Sequence, residues 1–147
     1  MTACLFAAPS FAFAPPSAPQ SIRQQQADAE ALFPQEAVRF IEIPGSTGYL
    51  GKAAGSPNLS GSQAARELRK QFQRSRDETV YVAVGSNVDM LAADLIYLTL
   101  ERNEGQPLTG LRLIHTGPGW ERANQLRARI EALGAKYYIV RRDASTP

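Results

Sequence analysis

One continuous apolar block, Thr79 to Val84 with the sequence TVYVAV, restricts the fold more than any other feature of the chain. Its β-branched and aromatic residues do not alternate with polar ones. That pattern is typical of a strand covered on both faces. We therefore expect this block to be a central strand of a parallel sheet.

The rest of the chain alternates between strand and helix patterns around this block. The expected elements are a short helix at 27–32, a strand at 37–43, a helix at 62–74, the strand at 79–84, a helix from about 86 to 102, a strand at 111–114, a helix at 120–133 and a strand at 137–140. Gly85 is expected to turn the chain, Ser86 or Asn87 to cap the following helix, and Gly134 to close the last one. Strict alternation with short connections predicts a three-layer Rossmann-like (flavodoxin-like) sandwich with a four-stranded parallel sheet, in the order 2-1-3-4.

The first residues have the character of an export signal. Residues 3–14, ACLFAAPSFAFA, are apolar and end in an Ala-x-Ala pattern, although no Lys or Arg precedes them and Pro15 would follow the cut. The run is too short to span a membrane, and residues 15–26 have the Pro and Gln bias of a linker. We expect 1–26 to be leader and disordered linker and 27–147 to be a single domain. That domain would be periplasmic or secreted, or cytoplasmic if the leader is not a signal.

The net charge and the few metal-ligating residues limit the kinds of ligand that this chain is expected to bind. A formal net charge of +2, with both signs mixed along the helices, lacks the concentration of positive charge that nucleic-acid binding usually requires. Cys4 is the only cysteine and His115 the only histidine, and no dense carboxylate cluster appears. We therefore expect neither nucleic acid nor a metal ion as a ligand.

The strand-to-helix loops of a parallel sheet lie at one edge, and ligands of such sheets bind there, near a reversal in strand order. The loops at 45–61, 85–88, 115–119 and 141–145 should therefore converge. Their glycines and the helix N-termini that follow suit a phosphate or carboxylate group. The expected ligand-binding residues are Gly45, Gly48, Gly51, Lys52, Ser86, Asn87, Thr116, Gly117 and Gly119.

The spacing of Gly45, Gly48 and Gly51 resembles the nucleotide fingerprint of extended short-chain dehydrogenases, which would imply a nicotinamide cofactor. The resemblance covers about eight residues. It departs from the family at Pro57, which breaks the helix that should begin in the motif, and at Val84, where no acidic residue ends the second strand. A chance match is the favoured interpretation, so no family is assigned and the cofactor stays unknown.

Two main functional hypotheses follow from these residues. The first is an accessory binding protein that takes a small anionic ligand or a protein partner at this edge. The alternative is an enzyme acting on a phosphorylated or nucleotide-like substrate, with His115 as acid or base because it follows a strand and can titrate near neutral pH. A histidine bonded to neighbouring groups is the structural interpretation of His115. A third hypothesis is an interaction subunit that uses its exposed helices and leaves the glycine loop structural. A filled or flat edge would favour an interaction role.

Overall fold

Helices and strands alternate through the part of the chain that the computed structural model describes, residues 22–43, 59, 61–87, 91–117 and 120–140. The elements are α1 (Ile22–Leu32), β1 (Val38–Ile43), α2 (Gln63–Arg74), β2 (Val80–Ser86), α3 (Leu91–Asn103), β3 (Leu111–His115), α4 (Trp120–Ala132) and β4 (Lys136–Ile139). None of the helices in these residues has the length and apolarity needed to cross a lipid bilayer.

The four strands form one parallel sheet in the order β1-β2-β3-β4. The predicted fold class, a three-layer α/β sandwich with a parallel sheet, is confirmed. The predicted order 2-1-3-4 is wrong. It would have placed the apolar β2 at the edge and β1, which carries Arg39 and Glu42, between two neighbours. The observed order buries β2 in the centre and leaves the mixed strand β1 at the edge.

All three crossover helices pack on the same face of the sheet. Right-handed crossovers that always step in one direction must place α2, α3 and α4 on one side. Helix α1 covers the other face, where it contacts β1 and β2. Because the strand order never reverses among the described strands, the switch point expected to mark the ligand site is absent from them.

The main core lies between the sheet and these three helices. Five of the six residues predicted to be buried together, Val82, Val84, Leu95, Leu113 and Ile130, are fully buried in this cluster. The sixth, Ile139 in the edge strand β4, is partly buried against it. The helical stripe Ala65, Leu68 and Phe72 is also buried, as its spacing predicted.

The described fold includes residues before Ala27. Helix α1 begins at Ile22, and it buries Gln25 as well as Ala29. At its end Phe33 packs against the rings of Tyr81 and Tyr138, with centroid distances of 4.8 and 5.1 Å. Helix α1 therefore includes residues on the N-terminal side of the expected boundary at residue 27, and part of the polar linker pattern is one face of this helix. The leader itself lies outside the described residues.

The helix ends confirm the predicted cap at Gly134, add a cap at Ser62 and correct the turn predicted at Gly85. Ser62 caps α2 by accepting a hydrogen bond from the Ala65 amide at 3.1 Å, and Gly134 adopts a φ of 92° after α4. Gly85 does not turn the chain, because β2 continues through Ser86. Helix α3 is described from Leu91 onward, and residues 88–90, on which a cap at Ser86 or Asn87 depends, lie outside the described residues.

Candidate functional site

The ends of β2 and β3 lie side by side at the carboxyl edge of the sheet, as the sequence predicted. Ser86 and Thr116 are both buried, and Asn87 next to Ser86 is exposed. The Thr116 amide donates to the Val84 carbonyl at 3.0 Å, and its hydroxyl oxygen lies 3.2 Å from the same carbonyl oxygen. Thr116 therefore continues the sheet's hydrogen bonding beyond β3, and residues 118–119, on which a cap of α4 depends, lie outside the described part of the chain.

The space beside these two strand ends is filled by Gln25, a residue that the sequence analysis placed in the linker. Its Nε2 donates to the Ser86 carbonyl at 3.1 Å and to the Asn87 Oδ1 at 3.3 Å. Its Oε1 accepts from the Thr116 hydroxyl at 3.0 Å. The oxygen and the nitrogen of this buried amide are thus both hydrogen-bonded, as buried polar groups require. These bonds connect α1 to the carboxyl ends of β2 and β3.

Two glycines make room for the Gln25 side chain. A Cβ on Gly85 would collide with Thr116 Oγ1 and Gln25 Oε1. Gly117 has a φ of 85°, and a Cβ there would lie 2.7 Å from the Ser86 carbonyl oxygen and 3.0 Å from Gln25 Oε1. Gly117, which was predicted to admit an anion, borders a protein amide instead. Replacing Gly117 with Val would therefore strain the folded backbone in addition to disturbing any ligand contact at this position.

His115 lies on the opposite face of the sheet from Gln25, inside the core. It is 1% exposed, and its Nδ1 lies 3.0 Å from the Tyr137 hydroxyl oxygen. The two rings stack with their centroids 6.3 Å apart. Depending on the tautomer, the phenol donates to the ring nitrogen or the ring N–H donates to the phenol oxygen. The position at a strand end is as predicted, and the histidine is held within the core.

Arg127 borders the other side of Tyr137. Its Nη1 donates to the Tyr137 carbonyl at 3.0 Å, and its guanidinium lies 5.6 Å from the ring centroid. Burial raises the pKa of the Tyr137 hydroxyl well above its usual value, and the positive charge of Arg127 offsets part of this shift. Tyr137 therefore stays protonated at neutral pH and can keep its bond to His115.

Tyr137→Phe should destabilise the domain by about 1–3 kcal/mol, because it removes the hydroxyl that bonds to a buried ring nitrogen. Urea denaturation at neutral pH measures this loss. Tyr138→Phe is the matched control, since Tyr138 is half-buried on the other face of the same strand. Equal stability losses in the two variants would contradict a structural role for the His115 and Tyr137 pair.

The raised pKa of Tyr137 also predicts an alkaline loss of stability. Above about pH 10, the usual tyrosine value, the unfolded chain releases this proton while the folded chain retains it. The contribution is therefore complete below that pH and is lost as the pH rises further. Repeating the denaturation series at rising pH should show a slope in the wild type that is reduced in the Tyr137→Phe variant.

The other predicted site residues cannot be placed at this edge. Gly45, Gly48, Gly51, Lys52 and Gly119 lie outside the described residues. Of the predicted set, the structure brings together Ser86, Asn87, Thr116 and Gly117, and it places His115 on the opposite face. No group of three or more His, Cys, Asp or Glu side chains suited to a metal ion occurs in the described ranges.

A groove of about 620 Å³ lies at the opposite, amino edge of the sheet, and the sequence analysis missed it. It runs between the starts of β1 and β2 and the end of α2. Its arginines are engaged by neighbouring side chains: Arg39 bonds to Glu67 at 3.1 Å, and Arg74 bonds to Glu78 at 3.0 Å and to Gln71 at 3.1 Å. A groove of this volume could hold a small molecule. Its two arginines, however, are already bonded to neighbouring side chains of the protein.

Comparisons of the chain with known protein families, with curated proteins and with solved structures gave no significant match.

Proposed function

We propose that this chain is an accessory binding protein that recognises a protein partner at the carboxyl edge of its sheet and performs no acid–base chemistry at His115. The observation that carries this proposal is Gln25, whose buried amide fills the space between the ends of β2 and β3. A filled edge presents a preassembled surface. Among the described residues, Gln25 occupies the space between these strand ends in which a substrate would otherwise sit.

The burial of His115 supports binding over catalysis. A general acid or base must reach within hydrogen-bond distance of the proton that it transfers. His115 is almost completely buried, and one of its ring nitrogens already faces the Tyr137 hydroxyl. The alternative, an enzyme acting on a phosphorylated or nucleotide-like substrate, would need this core to open.

The filled edge also favours a protein partner over a small anion. Gln25 Nε2 donates to the Ser86 carbonyl and Asn87 Oδ1, so the donor nearest the strand ends is already used. Asn87 is exposed beside this bonded cluster. Because hydrogen bonds already order this part of the surface, little conformational entropy would be lost when a partner binds to the exposed Asn87 side chain.

Site-specific photo-cross-linking tests this proposal in the extract of the native host. A benzophenone amino acid at Asn87 should give a discrete adduct, whereas the same group at Gln106, exposed in the loop between α3 and β3, should give none. Identical adducts at both positions, or none at Asn87, would contradict a partner at the carboxyl edge.

An amide chemical-shift titration with inorganic phosphate and common nucleotides separates the small-anion interpretation from this one. The proposal predicts no saturable shift at Ser86, Asn87 or Thr116. Saturable shifts there would replace the protein partner with a small anionic ligand. Loss of turnover in a His115→Gln variant that still binds ligand would instead establish the enzyme.

The envelope or the extracellular space is the proposed location. This part of the proposal rests on the apolar residues 3–14 and their Ala-x-Ala ending. The N-terminal sequence of the protein recovered from its host checks it. A mature chain that starts shortly after Ala14 supports export, and a chain that retains residues 3–14 in the cytoplasm contradicts it.

A further inference from the structure

The side-chain amide of Asn87 has one orientation, and the chemistry of its hydrogen bonds determines it. The Ser86 carbonyl oxygen can only accept, so the Gln25 atom that lies 3.1 Å from it is the nitrogen Nε2. That nitrogen carries two protons, and its second acceptor is the Asn87 Oδ1 at 3.3 Å. The oxygen of the Asn87 amide therefore faces Gln25, and its nitrogen Nδ2 does not.

The Gln25 amide cannot turn over without breaking this network. Its Oε1 accepts from the Thr116 hydroxyl at 3.0 Å. Exchanging the positions of Oε1 and Nε2 would place Oε1 against the Ser86 carbonyl oxygen. Two acceptors would then face each other at a buried position, which loses the hydrogen bond and leaves both oxygens without a donor. The fold therefore fixes the orientation of Gln25 and, through it, that of Asn87.

The Asn87 Nδ2 is left as a donor that the fold itself does not use. Asn87 is exposed, whereas Ser86 and Gln25 beside it are buried. Within the described residues, the Asn87 side chain takes part in one hydrogen bond, in which Oδ1 accepts. In the free protein, water accepts from Nδ2. A partner that covers Asn87 has to supply an acceptor in place of that water, because a buried donor without an acceptor weakens binding.

The charges near this cluster favour a neutral acceptor. Arg23 precedes Gln25 by two residues in α1, and Glu42 lies opposite Gly85 in the strand register. Both side chains are exposed. Because their charges are opposite, neither sign is in excess among them, and nothing in this pair selects a carboxylate. The neutral acceptor that every protein segment offers is its backbone carbonyl.

We propose that Asn87 is a specificity-determining residue of the carboxyl edge and donates from Nδ2 to a peptide carbonyl of the protein partner. This inference rests on the proposed binding function and adds the chemistry of one contact. An amide fixed with its oxygen inward can donate to a partner but cannot accept from it. The edge therefore discriminates against a surface that presents only donors at this point.

The variant Asn87→Asp separates the inward oxygen from the outward nitrogen. It keeps an oxygen that accepts from Gln25 Nε2, so the equilibrium constant for unfolding should change by about twofold or less. It lacks the outward donor and turns a second oxygen towards the partner's carbonyl, so the affinity for the partner should fall about tenfold or more. Urea denaturation of the full chain measures the first quantity.

Calorimetric titration with the protein recovered from the photo-adduct at position 87 measures the second quantity. The benzophenone group there removes one hydrogen bond of the roughly ten in a typical interface, so the partner still binds well enough to be captured. The loss caused by Asn87→Asp should be the same at low and high ionic strength, because the acceptor is neutral. A loss that shrinks with added salt would replace the peptide carbonyl with a carboxylate.

Gln106→Glu is the matched control, because it makes the same change from amide to carboxylate at an exposed position between α3 and β3. It should change stability and affinity by about twofold or less. If Asn87→Asp destabilised the fold tenfold, Nδ2 would face Gln25. If its affinity matched that of Gln106→Glu, the partner would not use the donor. Either result would overturn this inference and leave the proposed function standing, whereas recovery of no partner at position 87 would overturn both.

Discussion

Replacing Val82 with aspartate should unfold the domain. Val82 is fully buried at the centre of β2, where strands β1 and β3 flank it and the main helix layer covers its side chain. An unpaired carboxylate in this position costs about 4–5 kcal/mol or more. That loss is comparable with the entire stability of a small domain, about 5–15 kcal/mol. Circular dichroism and the dispersion of the amide spectrum should both report an unfolded chain.

Thr79→Asp is the matched control for this variant. Thr79 is exposed and immediately precedes β2, so the substitution adds the same charge without burying it. Its stability should change by about 0.5 kcal/mol or less. A Val82→Asp variant that melts at the same temperature as Thr79→Asp would show that β2 is not the centre of the core.

Gln25→Glu should destabilise the domain by about 3 kcal/mol at neutral pH, although the two side chains have nearly the same shape. The carboxylate cannot donate a hydrogen bond, and it would face the Ser86 carbonyl oxygen, which now accepts from Nε2 at 3.1 Å. The Ser86 carbonyl oxygen would lose its hydrogen bond, and the buried carboxylate would carry a charge without solvation. The loss should shrink as the pH falls towards about 4 and be smallest below it, because a protonated glutamic acid regains a donor. Urea denaturation at both pH values measures it.

Gln26→Glu controls for the added charge on α1. Gln26 is exposed and its Nε2 contacts Glu30 at 3.1 Å, so this variant creates only a like-charge pair on the helix surface. Its expected cost is about 0.2–0.5 kcal/mol. If Gln25→Glu proved no more costly than Gln26→Glu, the closed carboxyl edge would be wrong.

The strand order could have been deduced from the sequence. The apolar block in β2 was interpreted as central, whereas the order 2-1-3-4 placed it at the edge, so the two predictions conflicted. Arg39 and Glu42 favoured an edge position for β1, and the structure places it there. The fold class did not depend on this choice, because alternation of strand and helix predicts a parallel sheet in either order.

The contents of the carboxyl edge were only partly predictable. His115 and Tyr137 belong to the same face of adjacent parallel strands, with Leu113 opposite Tyr137 in the register, so the period of two could have indicated their contact. Gln25 carried no comparable signal. A glutamine in a run of polar residues is typical of a linker. Its burial depends on α1 covering the second face of the sheet, and only the three-dimensional arrangement determines that packing.

The exchange of the Gln25 side-chain amide protons with solvent tests the closed edge most directly. Because Nε2 is buried and bonded to Ser86 and Asn87, these two protons should exchange far more slowly than those of the exposed Gln24 and Gln26. Side-chain amide spectra recorded after transfer into heavy water give the rates. Slow exchange at Gln25 alone is the predicted result. Exchange at Gln25 as fast as at its two neighbours would contradict the filled edge and the binding function inferred from it.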